Sequence, residues 1–164
     1  MVRSLALVLS LLVGVSWASA EVGKGQKAPD FSLATLKGAR VSLAGLRGKV
    51  VLLDFWAQWC EPCKKELPEL DKLQKELGAR GFVVVAVNID KQKDNAQKLV
   101  ASLGLSLDPA LDPSGQVAGT YDLPKMPTSF LIDKKGTVRF VHAGFDGGGD
   151  VAKIRKEIDE LLKQ

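Results

Sequence analysis

The 164-residue chain is 46% hydrophobic and 26% charged, a globular balance that excludes both a disordered chain and a collagen. Its two cysteines are too few for a disulfide-stapled miniprotein or a four-cysteine zinc site, and one His and one Tyr narrow the catalytic chemistry further. The net charge of +4 is mild, and with 6% aromatics and no basic stripe it argues against nucleic-acid binding.

Residues 1–20 read as an address. Arg3 is their only charge, Leu5 to Val15 form an apolar run broken only by Ser10 and Gly14, and Ala18-Ser19-Ala20 supplies a small-residue cleavage site. The run is shorter than the ~18 or more apolar residues of a spanning helix, so a secretory signal peptide is expected, with an uncleaved anchor as the alternative. Residues 21–164 then form one domain, large enough to fold without a staple.

In that domain Phe31–Leu36 and Arg40–Leu43 flank Lys37-Gly38 and predict a short hairpin. Val50–Phe55 is a continuous apolar run, as expected of a strand buried on both faces. Leu67, Leu70, Leu73 and Leu77 predict an amphipathic helix from Cys63 to near Gly78, kinked by Pro68. Phe82–Ile89 predicts a second buried strand, and residues 94–103 a helix capped by Asp94 or Asn95. Asp112-Pro113-Ser114-Gly115 is a turn leading into a short helix that ends at Tyr121. Thr128–Asp133 and Thr137–Ala143 predict strands joined at Lys134-Lys135-Gly136, before a last helix with Val151, Ile154, Ile158, Leu161 and Leu162 on one face. Strands separated by helices, then a hairpin and a closing helix, give an α/β fold with a mixed sheet.

Both cysteines lie in Trp56-Ala57-Gln58-Trp59-Cys60-Glu61-Pro62-Cys63, between a buried strand and a helix start. A thiol attacks a disulfide as the thiolate, and the first turn of a helix offers unpaired N–H groups and a positive dipole end. Lowering a thiol pKa from ~8.5 to ~7 raises the thiolate fraction at pH 7 from roughly 3% to 50%. Cys60 is therefore the expected nucleophile, and Cys63, one turn inside, the thiol that resolves the mixed disulfide. Pro62 fits the early helix because it lacks an N–H. A purely structural bridge is the weaker reading, because a loop of about four residues restricts the unfolded chain by only ~2 kcal/mol. Half a metal site would need partners, and His142 is the only histidine.

At these residues the chain resembles the thioredoxin-fold proteins of the TlpA/ResA type. Ala28-Pro29-Asp30-Phe31 resembles that family's lead-in segment, Trp59-Cys60-Glu61-Pro62-Cys63 its active-site motif, Pro68 its helix kink, and Met126-Pro127-Thr128 its cis-proline loop. The match runs over roughly residues 28–162, and the stretch around 90–115 falls where this family inserts a helix and a strand. The resemblance implies a three-layer thioredoxin-like fold with a mixed central sheet and an N-terminal hairpin. It implies that Pro127 is cis and that Met126 lies beside the disulfide. Trp59, Glu61, Pro62, Met126 and Pro127 are the expected substrate-binding surface.

Two carboxylates complete the expected catalytic set. Asp54 ends a buried strand six residues before Cys60, where burial should raise its pKa and fit it to accept a proton from Cys63. Thioredoxin carries an acid at this place, whereas ResA-like proteins usually carry Asn. Glu66 lies one turn after Cys63, and its match in ResA lines the active-site cavity. Lys64, Lys65, Lys72 and Lys75 read as a solvated helix face. Gly144–Asp150 reads as a loop with Asp150 as helix cap, because it lacks the Gly-Lys-Ser/Thr of a phosphate loop.

The expectation is a monomeric thiol–disulfide oxidoreductase without a cofactor, exported to the periplasm or another extracytoplasmic space. It would reduce protein disulfides, with apocytochrome c as a substrate that the resemblance implies, and be recharged by a membrane thiol donor. A thiol peroxidase of the redoxin group would need Thr three residues before the reactive cysteine, where this chain has Ala57. A copper-delivery module using Cys60, Cys63 and His142 would have three residues between its cysteines rather than two.

Overall fold

The structure, a computed structural model, describes residues 22–164; the expected signal peptide or anchor lies outside these residues. A hairpin of β1 (Ser32–Ala34) and β2 (Arg40–Ser42) comes first, paired antiparallel about Lys37-Gly38 as expected. There follow β3 (Val50–Trp56), α1 (Glu61–Leu77), β4 (Phe82–Asn88), α2 (Lys93–Ser102), β5 (Ala110–Leu111), α3 (Gln116–Tyr121), β6 (Thr128–Ile132), β7 (Val138–Ala143) and α4 (Gly148–Leu162). The main sheet has the order β5-β4-β3-β6-β7, with β3, β4 and β5 parallel and β6 and β7 antiparallel to their neighbours. Among the described residues, no helix is long and apolar enough to cross a membrane.

Strand alternation divides β3 between two cores. Val50, Leu52 and Trp56 face Leu67, Leu70, Leu73 and Leu77 of α1 and Ile154, Ile158 and Leu161 of α4. Val51, Leu53 and Phe55 face the N-terminal segment and α3. That second core centres on Phe55, Tyr121 and Phe130, whose ring centroids lie 5.0–6.1 Å apart. The Tyr121 hydroxyl donates to the Pro29 carbonyl at 2.6 Å. Helices on one face and the N-terminal segment with α3 on the other make three layers.

The N-terminal segment also covers parts of both sheet margins. Thr35 bridges Ala110, and Leu36 N–H donates to the Pro109 carbonyl at 2.8 Å, beside the short edge strand β5. At the other margin Lys27 bridges Thr137, and Val138 N–H donates to the Gln26 carbonyl at 2.9 Å at the start of β7.

The expected helix–strand insertion is α2 and β5. Asp71, on the apolar side of α1, holds the chain between them: its Oδ1 accepts from Ser106 N–H at 3.1 Å, Ser106 Oγ at 2.7 Å and Leu107 N–H at 3.0 Å. Lys75 Nζ sits 2.7 Å from Oδ2. Burial pushes this carboxyl up, but the bonds from Lys75, Ser106 and Leu107 outweigh it and hold the pKa below its ordinary 3.8. Asp71→Ala is expected to cost on the order of 2–4 kcal/mol, read as a lower urea midpoint with an unchanged slope. The contribution is present above the unfolded-state pKa and is lost as pH falls through the lower folded one. The cost should therefore shrink in acid, and an equal cost at pH 7 and pH 2 would contradict it.

Two expected caps are corrected. The residue before α2 is Gln92, which makes no side-chain cap bond, while Asp94 sits inside the first turn. Before α4 the cap position is Gly147, at φ 130°, a backbone that suits glycine. Asp150 lies in the first turn of the helix, and its carboxylate reaches back to accept the Asp146 N–H at 2.6 Å. An acid just inside a helix start serves the dipole without being the cap residue, which its position in the sequence does not distinguish.

Candidate active site

Cys60 and Cys63 are joined in a disulfide, with an S–S distance of 2.06 Å. Cys60 is the N-cap residue of α1, in extended backbone, and its Sγ accepts the Cys63 N–H at 3.3 Å. Pro62 occupies the first turn, where its missing N–H leaves no bond unmade. The two sulfurs differ in surroundings: Cys60 keeps 4% exposure and Cys63 none, while Trp59 beside them is 62% exposed. Glu61 and Pro62 are also exposed, and Glu61 pairs with Lys64.

The loop that carries Trp59 is held from the neighbouring parallel strand. Asp90 Oδ2 accepts from Gln58 N–H and from Asn88 Nδ2, each at 2.8 Å, while Asn88 Oδ1 accepts the Asp90 N–H at 3.2 Å. Ile89 N–H donates to the Trp56 carbonyl at 3.0 Å. Asn88 and Asp90 were not among the expected site residues. Their only sequence signal is a polar Asn-x-Asp at the end of an apolar strand.

The strand parity that sends Leu52 and Trp56 toward α1 also sends Asp54 there. Asp54 is fully enclosed and Glu66 is 1% exposed. A third residue joins them: Ser129 stands opposite Asp54 in the β3–β6 register, with Oγ 3.0 Å from Asp54 Oδ1 and 3.3 Å from Glu66 Oε1. Asp54 Oδ2 and Glu66 Oε2 have no hydrogen-bond partner among the described residues. Burial lifts the Asp54 carboxyl well above its ordinary range, the Glu66 charge adds to this, and the Ser129 bond opposes it. Burial likewise pushes Glu66 up to about 7 against the Ser129 bond, with the charge of Asp150 on α4 assisting. Such a pair can hold a proton near neutral pH.

Met126–Pro127 is a cis peptide, as the resemblance implied. Because Thr128 pairs with Phe55, Pro127 lies at the end of the sheet where β3 leaves for the cysteine loop. Met126 packs against the cluster that contains Cys60 and Cys63. The Pro127 carbonyl accepts the Gly144 N–H at 2.7 Å, whereas neither backbone polar group of Met126 has a partner among the described residues.

His142 is elsewhere engaged: its Nε2 lies 2.7 Å from Glu157 Oε2, a close contact rather than an aligned hydrogen bond. Among the described residues no group of three or more His, Cys, Asp or Glu is placed to hold a metal ion, so nothing assembles His142 with the cysteines.

The pattern of the AhpC/TSA family matches residues 24–141. The chain belongs to that family. The chain is 37% identical over 168 residues to the thioredoxin-like protein YneN of Bacillus subtilis, covering 95% of this chain and 94% of that one. It is 39% identical over 123 residues to the thiol-disulfide oxidoreductase ResA of Bacillus subtilis, covering 75% and 69% of the two chains. A crystal structure from Chlorobium tepidum, assigned as a thiol:disulfide interchange protein DsbE, superposes with a TM-score of 0.82 at 42% identity, over 87% of this chain and 99% of that one. This AhpC/TSA member is thus a thiol–disulfide oxidoreductase of the ResA/DsbE type with a thioredoxin-like fold.

Proposed function

We propose that the protein is an exported reductant of protein disulfides. Cys60 attacks the substrate disulfide, and Cys63 resolves the mixed disulfide to release the reduced product. The observation that carries this reading is the asymmetry of the pair: Cys60 keeps a small exposure beside exposed Trp59, while Cys63 is fully buried one helical turn before buried Glu66. A resolving thiol must shed its proton as it attacks, and Asp54 and Glu66 are the groups to receive it. Trp59, Glu61 and Pro62 form the rim that meets the substrate. The unpaired backbone of Met126, next to Pro127, offers an extended substrate a hydrogen-bonding strand.

Residues 1–20 act as the export address, by cleavage or as an anchor, and residues 21–164 work as a monomer outside the cytoplasm. There a membrane thiol donor returns Cys60 and Cys63 to the dithiol. The resemblance to the TlpA/ResA type supports apocytochrome c as a substrate, whose haem-binding cysteines must be reduced before haem attaches.

Equilibration with glutathione redox buffers tests the direction. A reductant should show a potential below about −220 mV, on the thioredoxin side of the scale, whereas a value near about −120 mV would make the protein an oxidant and overturn the reading.

A further inference from the structure

We propose that Ser129 is a positioning residue whose hydroxyl bridges one proton shared between Asp54 and Glu66. The inference rests on the roles given above to Cys63 and the two carboxyls, and goes beyond them. A hydroxyl carries one proton, yet Ser129 Oγ stands within hydrogen-bond distance of two buried carboxyl oxygens, at 3.0 and 3.3 Å. If both carboxyls were ionised, one would face the lone pairs of Oγ without a donor, and burying such a charge unpaired is costly. One proton on the pair removes the conflict: the protonated carboxyl donates to Ser129 Oγ, and Ser129 donates to the carboxylate.

Among the described residues, no cation is paired with either carboxyl or counted among the causes of their shifts. On α1 the neighbour is Cys63, one turn before Glu66, and on β4 the residue opposite Asp54 is Ala86. From α4, Asp150 adds negative charge toward Glu66. On β7, His142 stands opposite Ser129 in register but lies against Glu157 of α4. No ion pair among the described residues includes Asp54 or Glu66.

The bridged pair has two arrangements, with the proton on Asp54 or on Glu66. Two short hops through Ser129 interconvert them without changing the net charge of −1. When Cys63 attacks, its S–H bond breaks, an O–H bond forms on the carboxylate, the Cys60–Cys63 bond forms, and the substrate sulfur leaves with the electron pair of its broken bond to Cys60. The hydroxyl connects Asp54 to Glu66, so a proton received by either carboxyl can be shared with the other.

Carbon-13 NMR titration of the carboxyl groups in the disulfide form tests the bridge without any substrate, so it can fail while the reductase reading stands, and the reverse. In the parent, the Asp54 and Glu66 signals should move together in two separated steps, because the bridge favours the singly protonated pair over both neighbours. Ser129→Ala should bring the two steps closer by about one unit or more, the scale of a lost hydrogen bond to a charged group. Ser129→Thr, which keeps the hydroxyl, should preserve the separation. An unchanged or wider separation in Ser129→Ala, or a single step in the parent, would overturn the proposal.

Discussion

Cys63→Ser is expected to turn the protein from a catalyst into a stoichiometric trap. Cys60 still sits at the helix start and still attacks, but serine cannot displace the substrate sulfur, so one mixed disulfide accumulates per chain. Multiple turnover should fall by on the order of 10³-fold or more, the scale seen when one member of a concerted catalytic set is removed. Cys60→Ser should lose the first step and leave no adduct. Both outcomes can be read by mass spectrometry of the intact protein without reductant. An adduct on Cys60→Ser and none on Cys63→Ser would reverse the assigned roles. The same variant expressed in cells identifies the partners. Recovery of apocytochrome c supports a place in cytochrome maturation, whereas many unrelated exported proteins would point to general disulfide exchange.

Neutralising the buried carboxyls should stabilise the domain at neutral pH, and the sign follows from the direction of their shifts. Glu66 is raised from 4.5 to about 7, so the folded state binds more protons than the unfolded chain across that interval. Stability is therefore fully present below the unfolded value and falls as pH rises through the folded one. The loss over this window is on the order of 3 kcal/mol if Glu66 titrates alone, and coupling to Asp54 redistributes it between the two groups. Glu66→Gln should match the parent near pH 4 and exceed it in stability at pH 8; Asp54→Asn should act in the same direction. Urea unfolding of the disulfide form at pH 4, 6 and 8 measures this, and parallel pH curves for parent and variants would refute it. In the reduced form, Glu66→Gln should also lower the Cys60 thiol pKa by removing a nearby negative charge, seen as a shift of the alkylation rate to lower pH.

Much of this architecture was legible in the chain because its signals are local. The run Val50–Phe55, apolar but for Asp54, marked a strand covered on both faces, and the leucine spacing after Cys63 marked the helix that covers one of them. The cysteine pair announced itself by its place between these two elements. Asp54 and Glu66 were expected near the thiols from spacing together with the resemblance to thioredoxin and ResA, but their meeting depends on a third strand. Ser129, inside Thr128–Ile132, reads as one more residue of an apolar segment until strand pairing sets it opposite Asp54. Strand pairing joins residues 75 positions apart, and no local periodicity carries that information. Asp71 and Asp90 were hidden for the same reason, since their partners are backbone N–H groups of distant loops. The two cap assignments failed differently: an acid within a helical first turn and an acid at the cap look alike in sequence.

The coverage of both sheet margins by the N-terminal segment has a consequence for how the chain is made. Lys27 and Lys37 emerge early in synthesis, yet their partners lie 108 and 71 residues later. Contacts of that span close late, after most of the loop-closure entropy has already been spent elsewhere. The first part of the domain to appear thus completes its contacts only after residue 108 at one margin and residue 135 at the other have been delivered. Under the export proposed above, that order would keep the sheet margins open while the chain is threaded through a membrane. Its own beginning withholds completion until those residues arrive.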